Sequence, residues 1–135
     1  MRTIPDRPTS IQKGLVSTIV LNWNSKEVIF DCLDSLFRQT YKPQQIILID
    51  NGSTDGSLEM IESRYGSSLK LFKNPINLGF AEGVNQGIAL SNGEFIALLN
   101  SDAVVERNWL EEMVRGITSS DKIGMCACKI FLRGR

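Results

Sequence analysis

Residues 45–57 read QIILIDNGSTDGS, a short apolar run that changes abruptly into polar and small residues. Four consecutive aliphatic residues leave no polar face, which is typical of a strand that is buried on both sides of a sheet. We expect a helix to begin near Thr54 or Asp55, so this stretch predicts a strand, a polar loop and a helix in succession. The remainder of the chain repeats this order.

The flanking segments extend the alternation of strands and helices. VSTIVLNW (16–23) predicts a strand, and the apolar spacing between Lys26 and Arg38 predicts a helix with Ser25 as its N-cap. Further elements are predicted as a strand at 69–72, a helix through 80–88, a buried strand at 94–100, a helix at 109–117 and a last strand at 123–130. This alternation predicts an α/β domain with a mostly parallel sheet. We expect residues 1–13 to be a flexible leader and residues 14–135 to be the folded part.

Composition excludes several classes of function. The 135 residues suit one domain, and 15 basic residues balance 15 acidic ones, so no basic surface for nucleic acid is indicated. No apolar run approaches the roughly 18 residues of a transmembrane helix. Three cysteines form a sparse, odd set, which indicates a reducing compartment, with the cytoplasm as the default. The chain has no histidine, which excludes Ser-His-Asp and Cys-His catalysis and leaves carboxylates as the candidates for acid–base or metal chemistry.

Polar side chains collect where the predicted strands end. Asn22 and Asn24 follow the first strand, Asp50 and Asn51 the second, and Asn100 and Asp102 the strand at 94–100. A polar loop, NPINLGFAEGVNQG (74–87), leads into the third helix. Ordinary turn chemistry explains any one of these residues. Because ligands of open α/β sheets bind beyond the carboxyl ends of the strands, the set together predicts a binding site.

Known nucleotide-binding loops do not match this site. The turn NWNSKE after the first strand lacks the G-x-G-x-x-G of a dinucleotide-binding fold, and no G-x-x-x-x-G-K-[ST] loop exists. A phospho-acceptor receiver domain would need further acids beside Asp50, and the first strand supplies only the uncharged Asn22 and Asn24. In the interpretation that remains, Asp50 accepts hydrogen bonds from a base or ribose, and Asp102 binds a divalent cation on a diphosphate. Asn100 would then contact sugar hydroxyls or a metal-bound water.

These motifs, in this order, resemble a known family. The segment VSTIVLNWNSKEVIFDCLDSLFRQTYKPQQIILIDNGSTDGS (16–57) is similar to the opening of a family 2 glycosyltransferase with the GT-A fold. Trp23-Asn24 matches its Tyr-Asn pair, residues 35–41 its SLxxQTY helix, and residues 50–55 its D-D/N-G-S-x-D loop. Asn77-Leu78-Gly79, with Gly83, Asn85 and Gly87, resembles the N-x-G…N-x-G loop. Asn100-Ser101-Asp102 takes the place of the D-x-D metal motif, a variant similar to that of rhamnosyltransferase-like members.

The resemblance implies an inverting, metal-assisted transferase, of which this chain is the donor-binding half. It implies a nucleotide-sugar donor linked to dTDP, UDP or GDP, a glycan or lipid-linked acceptor, and Mg²⁺ or Mn²⁺ as cofactor. Asp102 would be the metal ligand, and the nucleotide-sugar would be bound by Asn22, Trp23, Asn24, Asp50, Asn77, Gly79, Asn85 and Asn100. The catalytic base and the acceptor-binding half are expected beyond Arg135, so the 135-residue chain alone is expected to be inactive.

The family also implies a setting for the chain. Polysaccharide biosynthesis in the cytoplasm is expected, with peripheral association at the inner face of the membrane allowed. The alternative from another class is a non-catalytic module that binds a nucleotide or nucleotide-sugar.

Overall fold

The computed structural model describes Pro8 and residues 10–132. The elements of this part of the chain alternate between strand and helix over most of its length. In chain order they are β1 (Gln12–Asn22), α1 (Ile29–Phe37), β2 (Gln44–Asp50), α2 (Ser57–Tyr65), a 3-10 turn (Gly66–Ser68), β3 (Lys70–Lys73), α3 (Phe80–Leu90), β4 (Gly93–Asn100) and α4 (Trp109–Ile117). The predicted α/β alternation is confirmed through α4.

The four strands form one parallel sheet in the order β3-β2-β1-β4. Between β1 and β2 the register places Asn22 opposite Asp50. Between β1 and β4 it places Leu21 opposite Asn100. The carboxyl ends of these three strands therefore lie at one edge of the sheet, as the sequence predicts for a parallel arrangement.

Two apolar clusters cover the two faces of the sheet. On one face, α1 and α2 pack against β1 and β2 in a cluster centred on Val20, Leu33 and Leu48, all of them fully buried. On the other face, α3 packs over Ile19, Ile47 and Ile49. Because side chains alternate between the faces of a strand, β1 and β2 need apolar residues at nearly every position. Their almost continuous hydrophobic sequences follow from this requirement.

Strand β4 differs from the prediction that residues 94–100 form a buried strand. It lies at an edge of the sheet, where β1 is its only partner within the described part of the chain. Leu98 on β4 is 51% exposed, and no residue of β4 after Gly93 is buried. The prediction was wrong because an apolar run shows that a strand can be buried, but not how many neighbours cover it.

Three further differences concern the ends of elements. No strand forms at 123–130, since no strand of the described part of the chain pairs with these residues, and Ile130 is 83% exposed. Helix α1 begins at Ile29 and has no side-chain cap. The Ser25 hydroxyl, the predicted cap, donates instead to the Trp23 carbonyl oxygen. Strand β1 begins at Gln12, inside the predicted leader. Residues 1–7 and 9 of that leader lie outside the described residues. Residues 133–135 at the other end of the chain also lie outside them.

No helix in the described ranges is long and apolar enough to cross a bilayer.

Candidate functional site

The polar residues at the ends of β1 and β2 form a buried hydrogen-bonded group. The Asn22 amide donates to Asp50 Oδ1 at 2.7 Å and also to the hydroxyls of Ser53 and Ser57, at 3.1 and 3.0 Å. The second carboxylate oxygen of Asp50 accepts the Ser53 N–H at 3.1 Å. Asp50 is only 1% exposed, and Asn22 is fully buried. These contacts fix the loop after β2 to the end of β1.

This burial bears on two of the residues that we expected to bind ligand. Both carboxylate oxygens of Asp50 already accept hydrogen bonds from the protein, and its side chain lies beneath the surface. The Asn22 Oδ1 atom is buried and has no hydrogen-bond partner among the described residues. Direct ligand contact by Asn22 and Asp50 stays a prediction, whereas their role in holding the loop is visible.

The chain turns sharply after β1 and leaves the next two side chains at the surface. Asn24 has a φ angle of +51°, in the left-handed region that asparagine tolerates better than most residues. Its Oδ1 accepts the Thr54 N–H at 2.8 Å, and its own N–H donates to the Ser53 hydroxyl at 3.0 Å. Trp23 is 54% exposed, so the indole ring is open to a ligand.

A further polar contact, made by Asp55, joins the loop after β2 to the exposed loop after β1. Partial burial pushes the pKa of Asp55 upward, but hydrogen bonds from the Ser57 hydroxyl and from the N–H groups of Ser57 and Lys26 outweigh it. The pKa of Asp55 is therefore held below its ordinary value. This carboxylate is a structural anchor between the loop after β1 and the start of α2.

A cleft of about 460 Å³ opens between β1, β4 and the first turns of α3. Its polar rim consists of Trp23, Asn24, Ser25, Asn100, Ser101 and Asp102. Its apolar walls consist of Ile19, Leu21, Val28, Phe80, Val84, Leu98 and Leu99. One end of the cleft is therefore polar and carries a negative charge, while the remainder is hydrocarbon.

The segment that carries Asp102 is held against the loop after β1. The hydroxyls of Ser25 and Ser101 are 3.1 Å apart, and the Ala103 N–H donates to the Asn100 carbonyl oxygen at 3.1 Å. Asn100 and Asp102 are both exposed into the cleft. Burial and, second to it, the negative charge of Asp102 together raise the pKa of the Cys32 thiol to about 12. The Cys32 thiol also donates to the Asn100 carbonyl oxygen at 3.4 Å, which ties α1 to the end of β4.

The oxygen atoms at this end of the cleft fit a hard divalent cation only in part. Among the described residues, no group of three or more His, Cys, Asp or Glu side chains could hold a metal ion. Asp102 is the one carboxylate among the described cleft residues. Mg²⁺ is commonly held by one or two carboxylates together with substrate phosphates and water. The residues present therefore fit a cation that arrives with a diphosphate, and not a site made of protein ligands alone.

The remaining predicted ligand-binding residues lie on the loop before α3 and on that helix. Asn77 Oδ1 accepts the Gly79 N–H at 2.8 Å and an Asn51 amide hydrogen at 2.9 Å, so this side chain shapes its own loop. Gly79 has a φ angle of +87° and leads into α3. Asn85 is exposed on α3. None of these three residues lines the cleft, and their part in ligand binding stays a prediction.

Sequence reasoning missed the apolar walls of the cleft. Phe80 and Val84 form the α3 side, and the helix can approach the sheet closely because Gly83 and Gly87 face it. A Cβ atom at Gly83 would overlap Leu21, and one at Gly87 would overlap Ile19. Two glycines four residues apart in a helix were the available signal, because that spacing places them on one face.

The fold and the cleft define a class of protein. A parallel α/β sheet whose polar loops and cleft lie at the carboxyl ends of its strands is the architecture of a protein that binds its ligand at that edge. Sequence comparison then gives the family: the chain belongs to glycosyl transferase family 2, whose family model matches residues 17–131.

Individual relatives agree with this assignment. An uncharacterized glycosyltransferase of Haemophilus influenzae is 33% identical over 111 residues, which cover 81% of this chain and 34% of the relative. TarS 1–349 of S. aureus in complex with UDP-GlcNAc superposes with a TM-score of 0.69 at 27% identity, over 76% of this chain and 30% of that 1–349 chain. The mannosyltransferase PcManGT of Pyrobaculum calidifontis, in complex with GDP-Man and Mn²⁺, shares the GT-A fold with a TM-score of 0.71 at 24% identity, over 85% of this chain and 34% of PcManGT. The chain spans about a third of the length of the curated relatives that it matches.

Proposed function

We propose that this chain is the donor-binding part of an inverting, metal-assisted glycosyltransferase that takes a nucleotide-sugar. The observation that carries the proposal is the joint position of Trp23, Asn24, Asn100 and Asp102 around one cleft. Membership of glycosyl transferase family 2 supports it, as does the likeness to TarS, which was solved with UDP-GlcNAc. The donor is a sugar linked to UDP, GDP or dTDP.

Three of these four residues each suit one part of such a donor. The exposed Trp23 ring offers a flat apolar surface on which a base can stack. The Asn100 amide can bind a sugar hydroxyl or a metal-bound water, and Asp102 supplies the carboxylate for Mg²⁺ or Mn²⁺. When bound, the cation would neutralise charge on the departing nucleoside diphosphate.

The transfer itself is proposed as a single displacement. An acceptor hydroxyl of a glycan or lipid-linked molecule attacks the anomeric carbon while the bond from that carbon to the nucleoside diphosphate breaks, and a carboxylate takes the proton of the hydroxyl. No other carboxylate of the described residues lines the cleft beside Asp102, so we name no base within them. We propose a role in polysaccharide biosynthesis in the cytoplasm, at or near the inner face of the membrane.

Calorimetric titration tests the donor site directly. Wild-type chain is titrated with UDP, GDP and dTDP, each with Mn²⁺ and again with EDTA. Asp102→Asn keeps the shape of the side chain but removes the charge that a hard cation favours, so the affinity gained from Mn²⁺ should be lost, while the affinity in EDTA should remain. Since a hydrogen bond or contact to a charged group is commonly worth about 1.5–3 kcal/mol, the expected loss is roughly tenfold or more.

A matched variant controls for the change in net charge. Glu106 lies four residues after Asp102, is exposed and does not line the cleft, so Glu106→Gln should leave both affinities unchanged. Absence of nucleotide binding by the wild-type chain would refute the proposal, as would metal-dependent binding that survives Asp102→Asn. Nucleotide binding with no sugar transfer by a longer chain would favour the alternative, a non-catalytic nucleotide-sugar-binding module.

A further inference from the structure

Three buried amide side chains lie beneath the loop that leads into α3. Asn51 follows β2, Asn74 follows β3, and Gln86 lies in the middle of α3, so the three come from separate elements. All three are buried, and none lines the cleft. We call Asn51, Asn74 and Gln86 the amide clamp.

Asn74 and Gln86 pair with each other through both atoms of each amide. Asn74 Nδ2 donates to Gln86 Oε1 at 2.7 Å, and Gln86 Nε2 donates to Asn74 Oδ1 at 3.1 Å. Asn74 Nδ2 also donates to Asn51 Oδ1 at 3.1 Å, which joins the pair to the end of β2. The backbone adds a fourth link, because the Asn74 N–H donates to the Asp50 carbonyl oxygen at 2.8 Å.

The Asn51 side chain links the Asn74–Gln86 pair to the loop at residues 77–79 through hydrogen bonds. Its Nδ2 donates to Asn77 Oδ1 at 2.9 Å and to the Gly79 carbonyl oxygen at 3.1 Å. Its Oδ1 accepts the Leu78 N–H at 3.1 Å. The side chain therefore uses both donor hydrogens and its acceptor oxygen within the protein.

Hydrogen bonds are the main interaction that can hold this loop, since its side chains bury little. Every residue from 75 to 80 is exposed, with Ile76 at 62% and Phe80 at 62%. On its inner side the backbone lies directly on Gly52, where a Cβ atom would come within 2.8 Å of Ile76. Phe80, the first residue of α3 and a wall of the cleft, follows the loop immediately.

We propose that the amide clamp positions the 77–79 loop and the Phe80 wall of the cleft, so that nucleotide affinity depends on Gln86 and Asn74, which do not touch the ligand. These are positioning residues, and their effect passes through Asn51. The affinity part of this inference rests on the proposed function. The positional part does not, because it concerns the free chain.

The test variant is Gln86→Leu, which keeps the approximate size of the side chain and removes its amide. Asn74 then loses both of its hydrogen bonds to α3, so the loop should open more often. Native-state hydrogen exchange is measured at the amides of Leu78 and Gly79, which both donate within the clamped loop. We expect exchange at these two amides to accelerate about tenfold or more beyond any change at core amides of β1. Affinity for UDP with Mn²⁺ should fall by a similar factor.

Ser17→Ala is the matched control. Ser17 is also fully buried and takes part in two hydrogen bonds, with Gln45 and with the Gly93 N–H, near the amino ends of the strands. This variant should lower global stability while leaving the relative exchange of the loop amides and the UDP affinity unchanged. Asn74→Ala, which removes the same pairing from the other side, replaces Gln86→Leu if that variant does not fold.

The outcomes separate the two proposals. Loop exchange that changes only in step with the core amides would overturn the inference, as would faster loop exchange with unchanged UDP affinity. A wild-type chain that binds no nucleotide would contradict the proposed function, and exchange at Leu78 and Gly79 would then decide the positional part alone.

Discussion

Replacing Asp50 with alanine should lower the free energy of unfolding of the domain, whether or not a ligand is present. The carboxylate is 1% exposed and accepts hydrogen bonds from the Asn22 amide at 2.7 Å and the Ser53 N–H at 3.1 Å. A hydrogen bond to a charged group contributes about 1.5–3 kcal/mol, so two of them set a loss of about 3 kcal/mol or more. Against a total stability of about 5–15 kcal/mol, that is a large fraction.

Urea denaturation followed by circular dichroism measures this loss. We expect the Asp50→Ala midpoint to move to lower urea with an unchanged slope, because the surface exposed on unfolding is nearly the same. Asp102→Ala is the matched control, since it removes the same charge from the same edge of the sheet. Asp102 is exposed, and its side chain makes no hydrogen bond with the described residues, so its replacement should change stability by no more than about 0.5 kcal/mol.

Two results would contradict the roles that we assign to Asp50 and Asp102. Equal stability of the Asp50→Ala and wild-type chains, together with weaker nucleotide binding, would show that Asp50 faces the ligand and that its buried contacts contribute little. A larger loss for Asp102→Ala than for Asp50→Ala would contradict the assignment of a structural role to one carboxylate and a ligand role to the other.

Three further predictions follow from packing and protonation. Gly87→Ala should lower the unfolding free energy by about 1–3 kcal/mol in urea titrations, because the added methyl overlaps a buried β1 side chain, whereas Gly116→Ala, with open space around it, should raise it by up to about 1 kcal/mol. Greater stability of Gly87→Ala would contradict the close approach of α3. Cys32, buried with a pKa of about 12, should not react with a thiol reagent at pH 8 in the folded chain, while the exposed Cys128 should react within minutes. Because the pKa of Asp55 is lowered on folding, its contribution to stability is present above the unfolded value of about 3.9 and is lost as the pH falls through the folded value. The stability difference between wild type and Asp55→Asn should therefore shrink in acid, and a constant difference from pH 6 to pH 2.5 would contradict it.

The burial of a strand could be predicted from the sequence where its apolar pattern matches its position in the sheet. The run QIILID is buried because β2 has a strand on either side and helices cover both faces of the sheet at this position. The run EFIALLN has nearly the same character, yet β4 is an edge strand and half open. The hydrophobicity of a segment shows whether a strand there can be buried. The number of strands that pair with it depends on the arrangement of the whole sheet.

The candidate site was predicted in outline and misjudged in detail for a similar reason. Parallel strands bring their carboxyl ends together, so Asn22, Asp50 and Asn100 were expected at one edge, and they are found there. Which of these side chains faces solvent depends on hydrogen-bond partners that are distant in sequence. The Asn22 amide, for example, donates to the hydroxyls of Ser53 and Ser57. The pairing of Asn74 with Gln86 joins two elements through side-chain geometry, and no periodic pattern in the sequence reports it.

The edge position of β4 has a practical consequence for work with the isolated chain. On the side away from β1, the backbone N–H and C=O groups of β4 have no partner strand within the described residues. Such an edge is a template on which another strand can add, including the same edge of a second molecule. Apparent affinities of the 135-residue chain should therefore be measured at several protein concentrations. A value that drifts with concentration then reports strand-to-strand association between molecules, and a value that does not drift reports the nucleotide.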